Sequence, residues 1–154
     1  MYGIIKQLLE FNFIEYIQVT INFWAVLVAA VASMIVGSIW YGPLFGKVFI
    51  HAMGMDKKSP EEMAVMKKGM GLTYLWQFIA SLAMFYVLAW MMGGLNQMSV
   101  MGGVTVAFLV WLGFVVPVKF GDALWGGKMK LFWLGIGNML VTLLVSGMII
   151  GGWS

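Results

Sequence analysis

Four apolar stretches, Ile17 to Gly42, Leu72 to Leu95, Ser99 to Val118 and Leu131 to Ile150, leave this chain few ways to fold. Each is close to or above the ~20 residues with which an α-helix crosses the ~30 Å hydrocarbon core of a bilayer. In hydrocarbon every backbone N–H and C=O must be satisfied internally, so only helices and closed barrels span. The alternation over about ten residues that marks a barrel strand is missing. The expected fold is an all-α integral membrane protein, a bundle of four transmembrane helices. Composition agrees: only 10% of the 154 residues are charged, against the ~25% of an ordinary soluble domain.

The lysines orient the bundle. Lys47, Lys57, Lys58, Lys67 and Lys68 lie between the first and second stretches, and Lys119, Lys128 and Lys130 between the third and fourth. Only Lys6 lies elsewhere, and the turn Asn96 to Met98 and the C-terminal Gly152-Trp153-Ser154 carry none. By the positive-inside rule, connections 43–71 and 119–130 are expected in the cytoplasm and both termini outside, in a multi-pass protein of the cell (inner) membrane. The lysines are a topology signal, not a nucleic-acid footprint.

Two segments outside the spans have amphipathic patterns. In residues 1–16, Ile4, Ile5, Leu8, Leu9 and Ile14 recur at helical spacing among polar residues. This predicts a helix lying in the interface ahead of a single transmembrane domain, 17–154. Between the first two spans, Ser59-Pro60-Glu61-Glu62 is a capping box with proline at the first helical position. Met63, Met66 and Met70 then share a face, predicting a short amphipathic cytoplasmic helix that runs into the second span. Gly69 and Gly71 are the places where it would kink.

Within the spans, small and polar residues fall in register. Ala25, Ala29, Ser33 and Gly37 form a small-residue stripe suited to close helix packing. Thr73, Gln77 and Ser81 form a polar stripe on the second span, and Asn138, Thr142 and Ser146 one on the fourth. These stripes read either as dry interhelical hydrogen bonds or as the wall of a hydrated path. No charged residue lies at the centre of a span. Lys119 and Asp122, three apart beyond Pro117, are the ion-pair candidate near membrane depth.

Several chemistries are excluded by absence. The chain has no cysteine and no arginine and a single histidine, His51, which reads as an interfacial surface residue. Met91, Met92, Met98 and Met101 crowd the outer turn, where thioethers can hold Cu(I), but with no histidine or cysteine beside them they read as packing. Nothing gathers a nucleophile with a base or a pair of carboxylates. The expectation is a non-enzyme without cofactor or metal.

Pro43 and Pro117 are expected to end the first and third spans. Pro43-Leu44-Phe45-Gly46 is echoed by Pro117-Val118-Lys119-Phe120-Gly121, with Gly37 and Gly113 upstream, as a duplicated helix pair would give. Trp40, Tyr41, Lys119 and Asp122 would then frame a cytoplasmic vestibule, with Gln77 and Asn138 along a path beyond it.

Asn22, the ending Gly37-x-x-Trp40-Tyr41-x-Pro43-Leu44-Phe45-Gly46-Lys47, Trp111-x-Gly113-Phe114 with Pro117, and the close from Gly147 to Trp153 resemble the family of small membrane proteins catalogued as domain of unknown function 1761. The resemblance covers nearly all of the chain after residue 20. It implies the four-helix architecture and brings no activity, cofactor or catalytic residue with it.

Two functions fit these features. A non-catalytic membrane subunit or scaffold, packing against itself, other membrane proteins or lipids, needs the fewest of them. A homo-oligomeric channel or transporter for a small solute or ion would use the polar stripes.

Overall fold

The computed structural model describes residues 19–153. The amphipathic N-terminal segment expected over 1–16 lies outside the described residues. Four helical spans pack antiparallel, and among the described residues there is no strand. The first span, Phe23–Leu44, is α1 (Phe23–Ile39) continued by a π-helical turn, Trp40–Leu44. Helix α2 (Gly46–Ala52) and a 3₁₀ turn (Met55–Lys57) lead to α3 (Pro60–Gly94). The third span, Val100–Gly126, is α4 (Val100–Val110), a second π turn (Trp111–Val115) and α5 (Val116–Gly126). Helix α6 (Met129–Gly152) is the fourth.

The helix ends follow from local chemistry. Asn22 caps α1 by accepting from the Trp24 and Ala25 amides, and its own amide donates to the Trp153 carbonyl at 3.3 Å, tying the start of the first span to the end of the last. At α3 the Ser59 amide donates to Glu62 Oε2 at 2.8 Å and the Glu62 amide to Ser59 Oγ at 3.2 Å, the reciprocal capping box the sequence predicts. Gly127, at φ 64°, supplies the left-handed residue that turns α5 into α6.

The first span ends where proline predicts, at Leu44 one residue after Pro43, whereas the third does not stop at Pro117. Pro43 sits inside the first π turn, where the Phe45 amide reaches back five residues to the Trp40 carbonyl at 2.9 Å. Pro117 is the second residue after the second π turn, and the third span runs on to Gly126. A proline lacks one amide and clashes with the carbonyl four residues back; in the third span the wide turn ahead of Pro117 absorbs both defects without ending the helix. Much of connection 119–130 is therefore helix. The sequence echo also changes register, because the residues that correspond are Trp40-x-Gly42 and Trp111-x-Gly113, each opening a π turn.

The helix after the capping box is not a separate surface piece. It continues through Gly69 and Gly71 as one 35-residue helix, about 50 Å long at ~1.5 Å per residue. That exceeds the ~30 Å hydrocarbon core, so its first turns, bearing Glu61, Glu62, Lys67 and Lys68, project past the lysine-rich end of the bundle.

Helix α6 is the hub. Half of its apolar window (50%) is buried, against 28%, 28% and 22% for the other three spans. Ala25 and Ala29 of α1, Phe85 and Met92 of α3, Ala107 of α4 and Leu143 of α6 share one core. On α3 burial starts at Ser81 and runs to Met92, whereas residues 60–77 are almost wholly exposed. The half of α3 nearer the lysine-rich end thus stands off from its neighbours, leaving a wedge between α1, α3 and α6.

Candidate functional site: a polar cleft between α1, α3 and α6

The wedge is a cleft of about 610 Å³. Its walls are the sequence's stripes brought together: Ser33 and Gly37 of α1, Thr73, Gln77 and Ser81 of α3, and Asn138 and Thr142 of α6. Tyr41 and Gly42 of the first π turn and Phe49 of α2 stand at the lysine-rich end, with the Tyr41 and Phe49 rings 4.8 Å apart. Ser81 and Thr142 lie deeper, where α3 closes on the bundle.

The small-residue stripe of α1 divides here. Ala25 and Ala29 are fully buried and do the packing, while Ser33 and Gly37 line the cleft. A Cβ on Gly37 would meet nothing within 4 Å. Close packing is done instead by Gly103 and Gly147: a Cβ on either would fall on the other's carbonyl. On α6, Gly137 serves packing and Gly135 does not; a Cβ on Gly137 would lie 2.8 Å from the Trp40 ring, whereas one on Gly135 meets nothing.

Hydrogen bonding in the cleft is unbalanced. Ser33 donates to the Ala30 carbonyl (2.7 Å), Ser38 to Met34 (2.8 Å), Thr73 to Gly69 (3.2 Å) and Ser81 to Gln77 (2.9 Å). These hydroxyl protons are all bound within their own helices. Asn138 is 9% exposed, and its Nδ2 has no hydrogen-bond partner. Ser146 Oγ, one turn beyond Thr142, is buried and equally unpaired. An unmet buried amide donor costs roughly 1–3 kcal/mol.

Not every candidate residue reaches the cleft. Tyr41, Gln77 and Asn138 line it. Trp40 turns away, packs on Phe45 with ring centroids 4.7 Å apart, and donates its indole N–H to the Leu134 carbonyl at 3.1 Å. Lys119 and Asp122 are exposed on α5, outside the cleft, and they do not pair. The ion pair among the described residues is His51 with Asp56, at 2.9 Å on the surface of the first connection. Its hydrogen bond holds the Asp56 carboxyl below the ordinary carboxylate range. Met92 fills the core with Met91 and Met98 packed against it, and Met101 is exposed.

Sequence reasoning missed Met34 and Ser38, which extend the cleft face of α1, and Tyr74, which flanks Thr73. It also missed Trp111, whose indole N–H donates to the Ile136 carbonyl at 2.8 Å. The signal for Trp111 was the Trp-x-Gly recurrence. Residues two apart lie about 200° apart around a helix, so the first and third spans hold α6 from two sides.

The model of one family, protein of unknown function (DUF1761), matches residues 24–151, a stretch that includes nearly the whole of all four spans. The chain belongs to the DUF1761 family. The match takes in both Trp-x-Gly turns and every cleft residue named above, so in this DUF1761 protein the cleft lies within the family region. No curated protein and no solved structure is similar to the chain.

Proposed function

We propose that this DUF1761 protein is a solute-binding membrane protein, a channel or carrier unit whose cleft takes up a small molecule from the lysine-rich end. The observation that carries the reading is the meeting of polar residues from three spans around a buried, unpaired Asn138 amide. Polar groups at membrane depth face a bundle interior or a water-filled cavity, and here the two polar stripes and the Ser33 side of the small-residue stripe face one open cleft. The positive-inside rule puts the mouth in the cytoplasm. The lining pairs no nucleophile with a base, so uptake rather than chemistry is the role it suits.

The test uses a chain without cysteine of its own. Single cysteines at Met34 and Thr73, both on the cleft wall, are exposed to a water-soluble thiosulfonate in proteoliposomes. Both should be modified, while a cysteine at Ile35, beside Met34 in sequence but 55% exposed on the outer surface, should stay inert in lipid. If the Met34 and Thr73 cysteines are as inert as the one at Ile35, the cleft is dry and the reading fails.

One observation favours the scaffold reading instead. Leu72, Leu75, Trp76 and Ile79 on the stand-off half of α3 are all exposed, as a helix awaiting a membrane partner or a second copy would be. Purification in mild detergent decides it: a stoichiometric partner protein supports this role, and a preparation without one argues against it.

A further inference from the structure

We infer that the cleft's ligand is a small uncharged molecule with hydrogen-bond donors and an acceptor on an apolar body, of the carboxamide or alcohol class. This rests on the solute-binding reading and specifies what that site takes. Charge is the first constraint. The lining contains no carboxylate, lysine or histidine, and an ion carried to membrane depth without a counter-charge is strongly disfavoured.

The hydroxyls set the second constraint. Each has one proton, and those of Ser33, Ser38, Thr73 and Ser81 are already given to backbone carbonyls. What these four groups offer an incoming molecule is lone pairs alone, so the ligand must bring N–H or O–H groups. Asn138 offers the converse, a buried donor at Nδ2 without a partner, which calls for an acceptor such as a carbonyl or hydroxyl oxygen. The Tyr41 and Phe49 rings and the Met34 and Met84 thioethers supply apolar wall beside these groups. A volume of about 610 Å³ falls within the ~300–1,000 Å³ of small-molecule sites.

Benzamide, benzamidinium and benzoate share a shape and differ in charge, and they serve as probes on the otherwise cysteine-free full chain carrying Met34→Cys. Benzamide should slow thiosulfonate modification of that cysteine, and the two ions should not. Adding Asn138→Leu should weaken benzamide's protection about five- to ten-fold, the loss of one hydrogen bond. Asn138→Asp keeps the side chain's shape while adding charge, and it should transfer protection to benzamidinium. Protection by either ion equal to that by benzamide, protection unchanged in Asn138→Leu, or no transfer in Asn138→Asp would each overturn the inference. If the cysteine is modified but none of the three probes protects it, the ligand class is wrong and the hydrated cleft stands. If it is never modified, the solute-binding reading itself falls.

Discussion

Gly103 and Gly147 meet backbone to backbone, each occupying the space that a side chain on the other would need. At such a crossing the absent Cβ is what permits the contact. Replacing either by alanine forces α4 and α6 apart and should destabilise the bundle by about 1–3 kcal/mol, the usual cost of overpacking. Gly135→Ala, where a Cβ meets nothing, should be neutral or slightly stabilising. Denaturation of the three variants in mixed micelles checks the contrast; equal stabilities would remove the crossing from the account.

The two indoles give a second expectation. Trp40→Phe and Trp111→Phe retain most of the ring and lose the donor to Leu134 or Ile136, so each should cost about 1 kcal/mol. Trp111→Phe should match Trp40→Phe even though its residue had no assigned role in the sequence. A null effect at both positions, measured in the same micelles, would reduce these bonds to incidental contacts.

How much of this was legible in the sequence depended on whether a feature is local. The four spans, the Ser59 cap and the stripes Thr73-Gln77-Ser81 and Asn138-Thr142 follow from periodicity and capping chemistry, which neighbours in sequence decide. That the stripes meet in one cleft depends on where α3 leaves the bundle, a tertiary matter that no spacing encodes. Pro117 misled for a related reason. Pro43 and Pro117 both break the α pattern, but the first span ends one residue after Pro43 and the third runs on past Pro117 to Gly126, a difference that the proline itself does not encode. Lys119 and Asp122 were grouped with Trp40 by sequence echo alone, and α5 carries them to another side.

Asn138 sets stability against binding. Leucine shares asparagine's branching at Cγ, has the open cleft to take its extra bulk, and removes the buried donor that has no partner, so Asn138→Leu should stabilise the empty protein by about 1–2 kcal/mol while weakening ligand protection. Chemical denaturation without solute measures the first effect. Destabilisation would mean that the amide has a partner in the bilayer.

The first connection should respond to acid. Because the hydrogen bond from His51 lowers the Asp56 pKa in the folded chain, its contribution is present above the ordinary carboxylate value of about 4 and disappears as pH falls through the lowered folded one. A carboxyl NMR titration in nanodiscs should place the Asp56 midpoint below that in His51→Ala. Coincident midpoints would show that the pair does not form.

Trp40 and Trp111 grip α6 through carbonyls on opposite sides, so α6 cannot rotate without losing one of them, and it behaves as a fixed axle. Any change in the width of the cleft therefore falls to α3, which is anchored by Phe85 to Met92 at one end and free at the other. Its projecting first turns, with their charges in water, form the handle of that lever.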